Sequence, residues 1–277
     1  MRWADLDLMG HVNNVVYIDY LQEARVDMLR VHADLSDPER APGAPSDGLV
    51  VVRHDIDYLS PLLLSDEPVR IESWVSSLRG ASFTVAYTLS QPGRGEAVCA
   101  RASTVLTPFV FETGRPRRIS PAERTGLERF LEPTEPAAAL ARRTPAEGEC
   151  WSHPVSVRFS DVDVYGHVNN VHYLEYFQEA RVAIAAQLWR AAGRTPHLVV
   201  ARTEVDYVRP LLLRGTPYQV RTWVSEVGTS SFVLEAEILD EGQCYARSRV
   251  LMVHLDPDTG RPEPLPQEVC GGLSPAS

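Results

Sequence analysis

The sequence predicts an α+β protein built from two similar units, each an antiparallel sheet wrapped around one long buried helix. Three observations lead to this prediction: a long internal repeat, an alternating apolar pattern that opens the second copy, and an unbroken apolar helix pattern behind it. With 277 residues, 44% hydrophobic and 23% charged, the chain is large enough for two cores. The same composition excludes disordered, collagen-like and coiled-coil proteins.

The repeat covers most of the chain. Residues 2–29 align without gaps on residues 158–185, with 16 of 28 positions identical, and a second block aligns further on. The first copy carries seven extra residues after its helix, in the loop-like stretch from Asp34 to Gly48. The alignment predicts a first unit, a Pro- and Ala-rich linker with one short helix, a second unit and a tail, at residues 1–121, 122–149, 150–268 and 269–277.

The second copy shows its elements in order. Residues His153 to Phe159 alternate between apolar and polar side chains, which predicts a strand. Residues Val168 to about Ala192 contain neither proline nor glycine and are apolar on more than one side, which predicts a long buried helix. Runs rich in Val, Thr, Tyr, Phe and Trp predict four more strands, at residues 198–208, 217–227, 231–240 and 244–255.

The first copy lacks a counterpart of the first strand, because Met1 aligns with Val157 near the end of that strand. We therefore expect either that the natural protein starts several residues upstream or that the first copy leaves a sheet edge open. We also expect the two sheets to lie edge to edge, so that the two copies form an internal pseudo-dimer.

The charge and cysteine content exclude several classes of function. All 27 basic residues are arginine, against 37 acidic residues, and the net charge is −10, so the chain has no global positive field for nucleic acid or an anionic membrane. The absence of lysine excludes Schiff-base and Walker lysines. Four scattered cysteines and no long apolar segment predict a cytoplasmic protein without zinc, disulfides or a membrane span.

The chemistry lies in the motif D-x-D-x-x-G-H-V-N-N, present as Asp5–Asn14 and again as Asp161–Asn170. The motif joins a strand end to a helix start, where backbone N–H groups favour a developing negative charge. The carboxylate of Asp7 or Asp163 can attack a carbonyl or activate a water there. These are the parts needed to hydrolyse an acyl bond without serine, cysteine or metal, so we expect no cofactor.

Both copies of the motif resemble the hot-dog-fold acyl-CoA thioesterases of the 4-hydroxybenzoyl-CoA thioesterase group, with the signature R-[WY]-x-D-x-D-x-x-G-H-V-N-N-x-x-Y. The resemblance extends to V-D-Y-x-x-P-L at Val205–Leu211, with Ile56 in place of valine in the first copy. It implies that Asp7 and Asp163 are the nucleophile or general base. It also implies two sites, each built between the two copies.

The resemblance assigns the remaining candidates. The backbone N–H groups of Asn14 and Asn170 would polarise the thioester carbonyl, while His11 and His167 either orient the turn or transfer protons. The candidate substrate-binding residues are Gly10, Gly166, Asn13, Asn169, Ser82, Ser231 and Arg79. Further arginines that could meet coenzyme A phosphates are Arg94, Arg209, Arg214 and Arg247.

Some of these residues also have a purely structural interpretation. Asn13, Asn14, Asn169 and Asn170 are of a residue type that caps helices, and they can do so even in an active enzyme. Glu23 and Arg25, like Glu179 and Arg181, are expected to form an ion pair that holds the helix to the sheet.

The expected function is hydrolysis of acyl-CoA to a carboxylic acid and free coenzyme A, with acyl-CoA as the partner molecule and further homo-oligomerisation left open. An acyl-ACP thioesterase is an alternative, but the asparagine of its Asn-x-His pair is replaced here by Met9 and Tyr165. A non-catalytic acyl-CoA or acyl-carrier binding protein is another. A hydratase or dehydratase is disfavoured because its His and Asp signature is missing.

Overall fold

The computed structural model describes residues 1–32, 47–94, 97–140, 142–145, 150–192, 197–267 and 273. These residues form two compact units, Met1–Ala138 and Ala139–Ser277, whose boundary lies inside the proposed linker. Nearly all of the inserted stretch from Asp34 to Gly48, part of the linker and nearly all of the tail 269–277 lie outside the described residues. No helix in the described part of the chain is long and apolar enough to cross a membrane.

Unit 1 begins with a 3-10 helix, Trp3–Asp5, followed by helix α1, Val16–Asp27, which continues as a π-helical turn, Met28–His32. Its strands are β1 Asp47–Tyr58, β2 Arg70–Leu78, β3 Phe83–Gln91, β4 Ala97–Val110 and β5 Arg115–Pro116. The four long strands are antiparallel in the order β2-β3-β4-β1, and β5 pairs with the end of β4. A short helix α2, Pro121–Glu128, closes the unit.

Unit 2 repeats the long helix and the four long strands of unit 1, and it adds an edge strand before the helix. Strand β6, Trp151–Val155, precedes a 3-10 helix, Phe159–Asp161, and the long helix α3, His172–Ala192. The remaining strands are β7 Leu198–Tyr207, β8 Tyr218–Val227, β9 Ser231–Asp240 and β10 Gln243–His254. The antiparallel order is β7-β10-β9-β8-β6. Each unit therefore combines one long helix with an antiparallel sheet, which confirms the α+β class.

Two element boundaries differ from the sequence-based expectation. Helix α3 starts at His172 rather than Val168, because the backbone N–H groups of Val168 and Asn169 donate to Leu211 and Asp161 instead of to a helical turn. Strand β6 ends at Val155, before the predicted Phe159. Phe159 instead opens the 3-10 helix, which is closed where a carboxylate oxygen of Asp161 accepts the N–H of Arg158 at 2.9 Å.

The helices bury one face rather than their whole surface. In α1 the side chains of Tyr17, Ile18, Leu21 and Arg25 are buried, whereas Glu23 is exposed. The ion pair expected of Glu23 and Arg25 is therefore wrong for unit 1, because the two side chains lie on different sides of the helix. Glu179 of α3 is exposed as well. The apolar stripe of each helix supplies the core, and its acidic residue faces solvent.

The edge of the sheet in unit 1 is covered by residues that the sequence assigns to the linker. In unit 2, β6 pairs with the first half of β8. In unit 1, the N–H of Val75 donates to Phe130 and the carbonyl of Val75 accepts from Glu132, both at 2.9 Å. Thr134 extends the pairing to Ser76. These contacts cover the edge of β2 around Val75, next to the β2–β3 hairpin. Among the described residues of unit 1, no strand pairs with the first half of β2 as β6 pairs with β8, so that part of the edge is open as expected.

A buried ion pair lies on the sheet face of unit 2 that is turned away from α3. Glu204 is fully buried, and its carboxylate accepts from Nε and Nη2 of Arg249 at 2.8 and 2.5 Å. Arg202 and the backbone N–H of Leu140 donate to the other oxygen. The segment around Leu140 to Arg143 thus covers the charged residues of this face, and Arg143 also receives the indole N–H of Trp223.

We expect Arg249→Met to destabilise unit 2 by about 3–5 kcal/mol, because it removes the main counter-charge of a buried carboxylate. The matched control is Arg53→Met, which breaks the partly exposed Arg53–Asp55 pair of unit 1 and should cost less than about 1 kcal/mol. Urea unfolding of both variants measures the difference. Equal losses would contradict the assignment of Arg249 as the buried partner.

Candidate active site

The loop before α1 is a tight turn closed on the carboxylate of Asp7. Its Oδ1 accepts the N–H groups of Met9 and His11 at 2.8 and 3.1 Å, and the N–H of Asp7 donates to the carbonyl of His11 at 2.7 Å. The second oxygen, Oδ2, receives no hydrogen bond from a described residue. The half-buried carboxylate is therefore fixed by one oxygen and leaves the other available for chemistry.

Unit 2 repeats this turn around Asp163. Its Oδ1 accepts the N–H groups of Tyr165 and His167 at 2.9 and 3.4 Å, and its N–H donates to the carbonyl of His167 at 2.8 Å. The bond from His167 is longer than its counterpart in unit 1. The two copies of the motif thus form the same turn, and the side chain that the resemblance makes catalytic stands at the same place in each.

The glycine of the motif is needed by the backbone. Gly10 and Gly166 have φ values of +75° and +78°, in the left-handed region that side chains disfavour. A Cβ at either position would meet nothing within 4 Å, so the requirement comes from backbone conformation and not from crowding.

The first aspartate of each motif is structural. Asp5 and Asp161 are buried and accept a hydrogen bond at 2.6 Å from the hydroxyl groups of Tyr20 and Tyr176. Burial alone would raise the pKa of both carboxyls, but the hydrogen bonds from tyrosine and from the backbone N–H of the residue three positions earlier outweigh it and lower the pKa. Both groups therefore remain ionised and hold the turn to the helix.

The asparagines lie in the turn that leads into the helix. The side-chain oxygens of Asn13 and Asn169 accept the N–H groups of Val15 and Val171 at 3.3 and 3.4 Å. The cap residue of α1 is Val15, and no side chain caps that helix, so Asn13 closes the preceding turn instead. Asn14 and Asn170 are half-buried at the last turn before the helix. Their placement at a helix N-terminus is compatible with the oxyanion role that the resemblance implies.

Two tyrosines in each unit tie this turn to the sheet, and sequence reasoning did not identify them. The hydroxyl of Tyr58 donates to the carbonyl of Asn14 at 2.9 Å, and the hydroxyl of Tyr17 accepts the N–H of Leu62 at 3.1 Å. The two rings meet edge to face, with centroids 5.0 Å apart. Tyr17 is the last residue of the N-N-x-x-Y signature and Tyr58 belongs to the V-D-Y motif, but neither motif revealed these contacts.

The same pair recurs in unit 2. Tyr207 donates to the carbonyl of Asn170 at 2.9 Å, and Tyr173 accepts the N–H of Leu211 at 2.8 Å. Burial raises the pKa of Tyr173, and of Tyr17 in unit 1, well above the usual value for a phenol. The hydroxyl groups of Tyr17 and Tyr173 therefore stay neutral at physiological pH.

The histidines of the motif act through their backbone in these contacts. His11 forms an antiparallel bridge with Leu63, and Val12 donates to the carbonyl of Leu62 at 2.9 Å. In unit 2, Val168 donates to Leu211 in the same way. His11 and His167 are half-buried, and the proton-transfer role of their imidazoles stays a prediction.

Ser82 and Arg79 lie away from the turn within unit 1. Both belong to the hairpin between β2 and β3, where Arg79 donates its N–H to the carbonyl of Ser82. The opposite end of β3, at Gln91, reaches the turn region through Leu63. Nine residues of strand separate the two ends by about 30 Å. Ser231 occupies the equivalent hairpin of unit 2, and its carbonyl accepts the N–H of Gly228.

The arginines proposed for coenzyme A are engaged in other contacts. Arg209 donates to the carbonyl of Cys244 at 2.9 Å, and Arg247 donates to Glu237 at 2.9 Å. Arg214 pairs with Asp240 and lies over the ring of Tyr218 at 3.6 Å. The side chain of Arg94 lies outside the described residues, and Arg79 is exposed. Metal binding has no support among the described residues, since no group of three His, Cys, Asp or Glu side chains converges.

We expect Gly10→Ala to lose about 1–2 kcal/mol of stability, because alanine must enter the left-handed region. Gly80→Ala is the matched control, since that glycine also has open space around it but no positive φ. Thermal unfolding of the two variants gives the comparison. If Gly80→Ala is destabilised as much as Gly10→Ala, the positive φ is not the cause.

We expect Tyr176→Phe to lower stability by about 1.5–3 kcal/mol, the range for a hydrogen bond to a charged group. Because the folded pKa of Asp161 lies below its unfolded value, its contribution is present at neutral pH and is lost as the pH falls. Removing the phenol raises that folded pKa, so acid unfolding should begin at a higher pH than in wild type. An unchanged acid midpoint would argue against this pair.

Comparisons with known proteins agree with the motif. The model of the thioesterase-like superfamily matches residues 1–131 and 157–273. Long-chain acyl-CoA thioesterase FadM of Escherichia coli (strain K12) is 34% identical over 98 residues, which cover 35% of this chain and 70% of that protein. Protein YsmA of Bacillus subtilis (strain 168) is 35% identical over 113 residues, 39% of this chain and 74% of that protein.

Two solved structures share the fold over nearly the whole chain. A putative oleoyl thioesterase from Lactobacillus plantarum has a TM-score of 0.72 at 18% identity, with 92% of this chain and 94% of that chain covered. The 12:0-ACP thioesterase from Umbellularia californica has a TM-score of 0.75 at 15% identity, with 92% and 91% covered. These likenesses confirm the tandem hot-dog fold, and with the family match they show that the chain is a thioesterase of the thioesterase-like superfamily.

Proposed function

We propose that the protein hydrolyses acyl-CoA thioesters, with Asp7 and Asp163 as the nucleophile or general base. The observation that carries this proposal is the repeated turn in which one carboxylate oxygen is held by two backbone N–H groups directly before a helix N-terminus. Such a carboxylate is fixed in place and still has a free oxygen. These are the requirements for a positioned base or nucleophile.

The reaction follows from this arrangement. As a general base, the aspartate takes a proton from a water whose oxygen adds to the thioester carbon. The negative charge that develops on the carbonyl oxygen is stabilised by the backbone N–H of Asn14 or Asn170 and by the helix dipole. The tetrahedral intermediate then expels the coenzyme A thiolate, which takes up the proton. As a nucleophile, the aspartate would first form an acyl anhydride that water hydrolyses.

The surroundings of the turn suit an apolar acyl group. Leu8 and Met9 at the tip of the first turn are exposed, and Val164 and Tyr165 occupy the same positions in the second. Exposed large apolar side chains at matching positions of both turns favour contact with an apolar ligand. The similarity to a long-chain acyl-CoA thioesterase, 34% identical over 98 residues, supports coenzyme A as the carrier of the acyl group.

We expect the Asp7→Asn, Asp163→Asn double variant to lose about 10²–10⁴ of the hydrolysis rate, because a positioned base contributes that much. Free-thiol release from short, medium, long and aromatic acyl-CoAs measures it, and the single variants report how much each turn contributes.

The matched control for this experiment is Asp256→Asn. Asp256 accepts the N–H groups of Asp258 and Thr259 in a turn of the same kind, but the next ten residues, 257–266, contain no helix. Its loss should leave hydrolysis unchanged. Saturable binding of acyl-CoA without turnover in wild type would reject the hydrolase for these substrates. Turnover of acyl-ACP alone would reject coenzyme A as the carrier.

A further inference from the structure

The face of the unit 1 sheet that is turned towards α1 contains buried polar side chains. His54, Thr104 and Val85 lie opposite one another on β1, β4 and β3. Tyr87 lies two residues after Val85, opposite Ala102 in the next row. Since alternate residues of a strand share a face, this is also the face of Tyr58, whose hydroxyl reaches the turn before α1.

Arg25 of α1 brings a charge to this interior without a counter-charge. Its side chain is buried, its Nη1 has no hydrogen-bond partner, and no described residue forms an ion pair with it. The nearby His54 does not compensate it. Burial first, and then the charge of Arg25, lower the pKa of His54, so the imidazole stays neutral and shares a hydrogen bond with Thr104 at 2.9 Å. The cluster keeps one positive charge.

A cation with a buried, unpartnered nitrogen is costly, because burial removes part of its hydration and no described residue replaces it. A second group on the same face has the same need: the hydroxyl of Tyr87, whose side chain is also buried, has no hydrogen-bond partner. Guanidinium and phenol groups are both donors. Both groups lack an acceptor among the described residues, and an anion is the acceptor that would also neutralise the charge of Arg25.

Unit 2 has unpartnered groups at the matching rows but no comparable charge. There the hydroxyls of Thr203 and Ser248 are buried without a partner, at the positions that His54 and Ala102 occupy in unit 1. Arg181, the counterpart of Arg25, is only half-buried and has interactions of its own. Both units therefore have unpartnered polar groups at this place in the sheet, but only in unit 1 is a buried positive charge present beside them.

We propose that the interior of unit 1 beneath α1 binds a carboxylate at the far end of an acyl group, with Arg25 as counter-ion and Tyr87 as a second donor. The protein would then accept acyl groups derived from dicarboxylic acids. This inference rests on the proposed function, which places the thioester at the turn before α1. Arg25 lies nine residues after Val16, or about 13 Å along the helix, so a chain that runs along α1 from the turn brings its far end there.

A carboxylate could also come from the released fatty acid itself, and the test separates the two sources. Titration calorimetry on the full chain compares sebacate with decanoate, which have the same length but two carboxylates and one. We expect wild type to bind sebacate about tenfold more tightly, since a charged hydrogen bond of about 1.4 kcal/mol gives that factor. Equal affinities, or tighter binding of decanoate, would overturn the proposal.

Variants test whether the preference for sebacate over decanoate depends on Arg25 and Tyr87. Arg25→Met should abolish it, and the matched Arg181→Met should retain it. Tyr87→Phe removes one hydroxyl from a side chain of the same shape, so it tests the site even if Arg25→Met does not fold, and it should reduce the preference severalfold. A preference that survives in both Arg25→Met and Tyr87→Phe would contradict the site.

The Asp7→Asn, Asp163→Asn double variant distinguishes this inference from the proposed hydrolysis. Because binding does not require the aspartates, the preference for sebacate should persist in that variant while thiol release is lost. If wild type hydrolyses decanoyl-CoA but shows no preference for sebacate, the hydrolase stands and this inference fails. A preference for sebacate without hydrolysis of any thioester would leave the anion site and reject the proposed function.

Discussion

The fixed position of each helix N-terminus is the constraint on which the rest of the structure depends. A helix end can stabilise a developing negative charge only if it does not move relative to the group that attacks. Here the start of the helix is tied to the sheet by Tyr58 through the carbonyl of Asn14, and the buried Asp5 ties the preceding loop to the helix through Tyr20. The carboxylate of Asp7 then closes the turn between these anchors.

The two units hold the segment opposite the turn by different means. In unit 1 the buried Gln91 binds both the N–H and the carbonyl of Leu63. In unit 2 the equivalent Leu212 is bound at its N–H by the hydroxyl of Tyr218, which lies beneath Arg214. The position equivalent to Gln91 is Asp240, which pairs with Arg214. The backbone geometry is thus retained while the side chains that enforce it differ, so the constraint acts on the main chain of the turn.

The sequence predicted the features that depend on contacts between residues close together in the chain. The turn, its glycine and the helix behind it are formed by residues within about ten positions of one another, and the motif identified them. The tyrosine contacts join residues more than 35 positions apart, and the pairing of Phe130 with Val75 spans 55. A periodic pattern in the sequence does not reveal contacts over such separations. The prolines predicted a linker, but they do not reveal that the first part of this linker pairs with the edge of the unit 1 sheet.

The expected ion pair of Arg25 was wrong for a related reason. A glutamate and an arginine two positions apart in a helix point in different directions, so burial of one leaves the other in solvent. Glu23 is exposed and Arg25 is buried, and the sheet opposite offers a neutral histidine instead of a carboxylate. A purely structural arginine could be replaced by an apolar residue at a gain in stability. A buried charge without a partner among the described residues therefore argues for a ligand that supplies one.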